Sequence, residues 1–217
     1  MKKNILVVAA HPDDELLGCA GTILKHKEAG DNVYICIVTV ADDRWGSEYK
    51  NKKLKEAILV DNLLNINKRY YCKLPTTSLN SLPSHILNDA IKKVFDEVLP
   101  DIVYTHFEHD VNEDHQRIFK SVLVNARPIK NLTSIRCFET LSSTEWGSKA
   151  FNSNFYVILS KQHIVKKIRA FNYYESEVKK YPHPRSPEGI EILAKKRGND
   201  ICKKYAESFI IIKEYWE

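Results

Sequence analysis

The chain has 217 residues, 43% of them hydrophobic, enough to bury one substantial core, and a single domain over residues 1–217 is expected. Its 33 basic and 28 acidic residues leave a net charge of only +5, interrupted by Asp and Glu and without a nucleic-acid-binding motif, which argues against a nucleic-acid partner. No apolar run approaches the ~18 residues of a membrane span, and the short one after Met1-Lys2-Lys3-Asn4 is too brief for a signal-peptide core, so no membrane span and a cytoplasmic location are expected.

Residues 5–9 (Ile-Leu-Val-Val-Ala) read as a buried strand of a parallel sheet. His11-Pro12-Asp13-Asp14-Glu15 occupies the bend that follows, and residues 15–29 fit a helix packed behind the strand. Gly30-Asp31-Asn32 ends that helix and turns the chain into a second strand over 33–40. After Ala41-Asp42-Asp43-Arg44-Trp45-Gly46 come a helix over 48–64 and a short strand near 70–72. A helix over 82–98, capped by Asn80 or Ser81, precedes a strand over 102–105. The polar run from His106 to His115 opens a helix over 114–125.

Strands at 134–139 and 155–159 and a helix over 164–174 follow. The stiff loop Tyr181-Pro182-His183-Pro184-Arg185-Ser186-Pro187 then leads into a helix over 188–208, interrupted near Gly198. The apolar run 209–212, with Tyr215 and Trp216, reads as a terminal strand or a subunit contact, the latter implying a homo-oligomer. This alternation predicts an α/β fold: a Rossmann-like, doubly wound, mostly parallel sheet with helices on both faces. Five scattered cysteines argue against a disulfide framework or a cysteine zinc site and read as small buried hydrophobes. His26, His85 and His163 read as surface residues.

The two clusters richest in metal-ligand types, 11–15 and 106–115, both follow predicted parallel strands. In a doubly wound sheet the carboxyl ends of strands share one edge, where ligands bind. An imidazole and carboxylates crowded there repel one another and lose hydration, and a divalent cation would pair with them. His11 and Asp14 offer two ligands from one bend, and a histidine of the second cluster completes a three-ligand set. Two histidines and a carboxylate with open positions form a common catalytic zinc set that also suits iron(II). Adjacent aspartates in a tight bend point different ways, so one can hold a metal while the other faces its water. A magnesium-dependent receiver-type reading fails, because residues 70–77 contain no Asp.

The segment Ala9-Ala10-His11-Pro12-Asp13-Asp14-Glu15, followed by Gly18 and Gly21, resembles the signature of the zinc N-deacetylases of the LmbE/PIG-L type, which include de-N-acetylases of N-acetylglucosamine conjugates. Asn112-Glu113-Asp114-His115 is similar to the second signature. Thr144-Glu145-Trp146, residues 181–186 and Ala206-Glu207-Ser208-Phe209 extend the likeness over nearly the whole chain. The resemblance implies that His11, Asp14 and His115 bind zinc and that Asp13 is the general base for water attack on an acetamide, returning the proton to the departing amine.

One position departs from the pattern: many members carry a histidine where this chain has Asn112. An Asn amide can donate to an oxyanion but cannot be an acid. Either Asp13 performs all the proton transfer, or His109 or His106 reaches in. Asp114 is expected to orient a ring nitrogen or to sit as a helix-start carboxylate, and Glu15 to serve the helix start or the site's surroundings, not the metal. Arg44, His183 and Arg185 are substrate-contact candidates. The expected function is zinc-dependent removal of an N-acetyl group from an amino sugar or its conjugate, including a nucleotide-linked one, with that small molecule as the partner. The alternatives are an amidase for another small conjugate and a non-catalytic, metal-holding carbohydrate-binding protein.

Overall fold

The structure is a computed structural model that describes residues 2–40 and 46–215. The candidate Arg44, with Trp45, lies outside the described residues, as does Trp216. The strands are β1 (Asn4–Ala9), β2 (Asn32–Val40), β3 (Lys68–Pro75), β4 (Ile102–Thr105), β5 (Ser134–Phe138), β6 (Phe155–Ile158) and β7 (Ala206–Glu214). They form one seven-stranded sheet in the order β3-β2-β1-β4-β5-β7-β6. The pairs from β3 to β5 are parallel, and β7 runs antiparallel to both β5 and β6. The helices are α1 (Asp14–Glu28), α2 (Gly46–Leu64), α3 (Ser84–Val98), α4 (Glu113–Asn125), α5 (Lys161–Phe171) and α6 (Pro187–Asn199).

The central strand explains why its sequence is apolar throughout. Ile5, Val7 and Ala9 face a core shared with α1, α2, α5 and α6, while Leu6, Val8 and Ala10 face a second core shared with α3 and α4. Both faces of β1 are buried, so period-two alternation disappears and a continuous apolar run takes its place. The mostly parallel, doubly wound α/β class follows as predicted. Among the described residues no helix is long and apolar enough to cross a membrane.

The last quarter differs from the sequence reading. The helix ends at Asn199, and Ala206-Glu207-Ser208 belongs to β7, inserted between β5 and β6. The chain turns back on itself after Gly198, where a Cβ would lie 2.5 Å from Lys203 O. The Lys203 N–H donates to Gly198 O at 2.8 Å, closing the helix there. Glu207 then does what a helix residue could not. Helix α1 is broken at Cys19 (φ −149°, ψ 21°), and the backbone N–H groups of Gly21 and Thr22 donate to the buried Glu207 carboxylate at 2.9 and 2.6 Å. Lys167 Nζ balances that charge at 2.7 Å.

Smaller corrections have similar causes. Neither Asn80 nor Ser81 caps α3; they lie in a 3-10 turn over Leu79–Ser81, and the N-cap is Pro83 without a side-chain bond. His26 and His163 are not surface residues. His26 bridges Asp31 (2.8 Å) and the Tyr104 hydroxyl (3.0 Å), and buried His163 completes a capping box with Ser160 and reaches Glu28 at 2.8 Å. All five cysteines are free; Cys202 is exposed and Cys72 half-buried, unlike the buried Cys19, Cys36 and Cys137.

Gly18 marks the closest approach of α1 to the sheet, since a Cβ there would lie 2.2 Å from Cδ2 of the fully buried Phe138 ring. Gly18→Ala is therefore expected to destabilise the fold by about 1–3 kcal/mol through overpacking, read as a lowered midpoint in denaturant unfolding. An unchanged midpoint would mean that Phe138 can move aside.

Candidate metal centre

β1 and β4 end side by side, and the loops leaving them form the site. His106, directly after β4, is fully buried, and its Nε2 accepts the Ala10 N–H at 2.9 Å. Its ring stacks on His115 (centroids 3.7 Å apart, 14° between planes) and meets Phe138 edge-on at 4.8 Å. Burial first, and the neighbouring His115 second, hold the His106 pKa down at about 3, so the imidazole is neutral. His106 therefore clasps the ends of β1 and β4 together.

Asp14, at the first turn of α1, is the meeting point. Its Oδ2 accepts the His11 N–H at 2.9 Å and lies 3.1 Å from His11 Nδ1 and 3.2 Å from His115 Nε2. One ligand atom from each of His11, Asp14 and His115 falls within 4.8 Å of the others. Asp14 Oδ1 and His115 Nε2 are buried with no hydrogen-bond partner. Unpartnered polar atoms at the focus of two imidazoles and a carboxylate fit a divalent cation in both donor chemistry and burial.

Each histidine faces a second carboxylate across its ring. Asp114 Oδ2 lies 3.2 Å from His11 Nε2 and accepts the Thr77 N–H at 2.6 Å, while Oδ1 accepts the Leu79 N–H at 3.1 Å. Asp110 Oδ1 lies 3.2 Å from His115 Nδ1. The same carboxylate accepts the Ser143 hydroxyl and, at 2.7 Å, that of Thr144. Such outer carboxylates fix tautomer and ring angle. Asp114 thus contacts a ring nitrogen of His11, not of its sequence neighbour His115. The sequence reading missed Asp110, and only its place in the polar run could have flagged it.

The electrostatics follow from this crowding. Burial pushes the Asp14 carboxyl up, but the His115 charge and the hydrogen bonds from His11 and His115 outweigh it and hold the group well below the usual range. Burial pushes Asp110 up as well, yet His115, Ser143 and Thr144 bring it down to about 2. For His11, burial favours the neutral ring, but Asp114 and Asp14 overcome it and push the pKa up to about 10. His115 is likewise raised, mainly by Asp14 against the cost of burial. Asp13 goes the other way. Burial, and then the adjacent Asp14 charge, raise it well above the ordinary carboxylate value, with Arg185 opposing.

A metal held by His11 would have to displace a proton from that ring. Below pH 10 the metal-free ring carries that proton, so apparent metal affinity is expected to rise as pH rises toward 10. Calorimetric titration in buffers of different ionisation enthalpy should record proton release on loading. Pairs of buffers giving the same heat would remove His11 from the site.

Asp13 and His11 lie on the wall of a cavity of about 360 Å³, with Tyr71, Lys53, Glu177 and Arg185 among the other lining residues. Arg185 Nη1 lies 3.1 Å from Asp13 Oδ2, and its Nε donates to Ser142 Oγ at 2.7 Å. Three other candidates are not on that wall. Asn112 is the N-cap of α4, its side chain accepting the Asp114 N–H at 2.9 Å. His109 packs edge-on against Phe107 at 5.4 Å and lies 3.5 Å from Glu108. His183 is exposed, and its Nδ1 accepts the Arg185 N–H at 3.1 Å.

Comparison with known proteins bears on these observations. The sequence profile of the PIG-L family, described as GlcNAc-PI de-N-acetylase, matches residues 6–126. An uncharacterized deacetylase of Escherichia coli K12, YaiS, is 25% identical over 183 residues, covering 81% of this chain and 92% of its own. Among solved structures, the N,N'-diacetylchitobiose deacetylase of Pyrococcus horikoshii superposes with a TM-score of 0.79 at 20% identity, covering 97% of this chain and 84% of that one. The 4-carboxy-2-hydroxymuconate hydratase of Pseudomonas putida KT2440 superposes with a TM-score of 0.75 at 17% identity, covering 100% of this chain and 98% of that one. Deacetylases and a hydratase thus share this fold, which therefore does not by itself select the reaction.

Proposed function

The chain belongs to the GlcNAc-PI de-N-acetylase family, and from that premise we propose that it is a zinc-dependent hydrolase removing the N-acetyl group from an N-acetylated amino sugar or its conjugate. The observation that carries this reading is the divergence of two adjacent carboxylates. Asp14 turns inward between His11 and His115, while Asp13 lies on the cavity wall beside Arg185. His11, Asp14 and His115 would hold the metal, which when bound supplies Lewis acidity, polarising the amide carbonyl and lowering the pKa of a water from about 15.7 toward about 7.

The protein's own groups divide the remaining work. Asp13 accepts a proton from the attacking water and delivers it to the amide nitrogen as the C–N bond breaks, so that acetate and a free amine leave. A carboxyl whose affinity for protons is raised by burial suits both halves of that transfer. Asn112 is engaged in capping α4, and His109 stands against Phe107. This favours proton return by Asp13 over transfer through the 106–115 loop. Asp114 and Asp110 hold the imidazoles. Arg185 steadies the Asp13 carboxylate and, on the same cavity wall, keeps the place expected of a substrate contact.

The cavity of about 360 Å³ is of a size that admits a small molecule such as an amino sugar. The test is acetate release by metal-loaded protein across N-acetyl monosaccharides, oligosaccharides and nucleotide-linked N-acetyl sugars. Release from one class supports the reading and names the substrate. No release from any, with zinc at full occupancy, overturns it in favour of another amide or of hydratase chemistry.

A further inference from the structure

The opening motif ends in Glu15, whose side chain is fully buried and is no ligand of the candidate metal. Asp13, two residues earlier, has φ 133° and ψ −31°, a backbone conformation that L residues rarely adopt. This unusual conformation accompanies the divergence of the two aspartates. Glycine would adopt it freely but has no carboxylate to offer. Something must therefore hold an aspartate there.

The contacts of Glu15 supply that hold. Its Oε2 accepts the Asp13 N–H at 3.0 Å. Its Oε1 accepts from Arg69 Nη1 at 2.9 Å and from the Tyr174 hydroxyl at 3.2 Å. Arg69, on β3, is fixed in turn by Asp61 of α2: Nε donates to both carboxylate oxygens at 3.0 Å, and Nη2 donates to Oδ1 at 2.7 Å. The Arg69 side chain is 3% exposed and that of Glu15 0%, so the chain of contacts is shielded from water.

We propose that Glu15 is a positioning residue, anchored by Arg69, Asp61 and Tyr174, that holds the Asp13 backbone in its positive-φ conformation and thereby aims the Asp13 carboxylate into the cavity. The inference rests on the general-base reading of Asp13 for its catalytic consequence, but not for its structural one. Three donors converge on two oxygens, so only a group that accepts at both ends satisfies them. A glutamine of the same shape cannot. Turned one way its NH2 faces the Asp13 N–H; turned the other way it faces the Arg69 guanidinium.

The experiment compares Glu15→Gln with the double variant Glu15→Gln/Arg69→Met. In the double variant the opposing guanidinium is gone, so the Gln oxygen is free to face the Asp13 N–H while its NH2 faces the Tyr174 oxygen. Asp61, 23% exposed, remains within reach of water. Crystal structures of both variants, their metal content, and kcat and KM for acetate release are measured.

In the single variant Asp13 is expected to leave the positive-φ region and kcat to fall roughly 100-fold, the scale of a displaced catalytic group, with KM and metal content unchanged. The double variant is expected to regain both the Asp13 conformation and most of the lost kcat. A role confined to stability predicts instead that the second substitution makes matters worse. Asp13 holding φ near 133° in the single variant, or kcat unchanged with metal bound, would overturn the proposal. If the wild-type protein releases no acetate from any N-acetyl sugar, the deacetylase reading fails, while the Asp13 conformation in the two variants still decides the role of Glu15.

Discussion

Asp13→Asn is expected to lower kcat by ~10²–10⁴-fold, the usual weight of a general acid–base, while bound metal stays at the wild-type level. Asparagine preserves the size of the side chain and its place beside Arg185, so the cavity keeps its shape. It removes the one cavity-lining carboxylate that neighbours Asp14 in sequence without sharing its ligand cluster. Arg185 keeps Ser142 and the Leu141 carbonyl as acceptors, so its loop should remain in place. Steady-state acetate release and metal analysis on the same preparation provide the check. Because substrate binding survives in the variant, the same measurement separates an enzyme from a carbohydrate-binding protein. A binding protein has no turnover to lose, and its affinity would pass through the substitution unchanged. Full turnover in Asp13→Asn would move the base to another residue.

His115→Ala is expected to abolish stoichiometric metal binding and with it activity. The imidazole is one of three clustered ligand groups, and its loss leaves Asp110 and Asp14 facing each other's charge in a buried site. Removing one partner of a buried pair commonly costs about 3–5 kcal/mol, so the variant should also unfold at lower denaturant. Asp110→Asn provides the graded comparison. It keeps the ligand but weakens the group that orients it, for which a loss of about 10–100-fold in metal affinity is expected. Competition against a chelator of known affinity measures both. Wild-type affinity in His115→Ala would show that the metal sits elsewhere. Equal losses in the two variants would mean that His115 serves the fold and not the metal.

Much of the site was legible because its parts are local. His11, Asp13 and Asp14 occupy one bend, and their chemistry can be read from residue type and adjacency alone. The apolar run of β1 announces burial on both faces, and β4 announces itself in the same way, which places their following loops at one edge of a parallel sheet. The meeting of His115 with that bend, across about a hundred residues, was reached through topology and a resemblance. What could not be read were contacts that depend on which distant residue arrives at a given point. Asp110 meets Ser143 and Thr144, 33 and 34 positions away, and Arg185 meets Asp13 across 172.

The sequence by itself determined most of the elements and suggested the divided roles proposed for the first motif, because helix and strand periods and the chemistry of a tight bend are set within a few residues. The tertiary structure decided the rest. Ala206-Glu207-Ser208 suits a helix by composition, yet pairing with β6 makes it a strand, and the broken α1 needs its carboxylate. Asn112 caps α4 through its side-chain oxygen and His183 braces a turn, contacts that residue type alone does not reveal. Glu15, which reads as an ordinary helix-start acid, meets Arg69 and Tyr174 only after β3 and the segment following α5 have been folded onto α1. The physical reason is the same in each case. Local free energies of a few tenths of a kcal/mol per residue yield to sheet pairing and to the demand that every buried polar group find a partner.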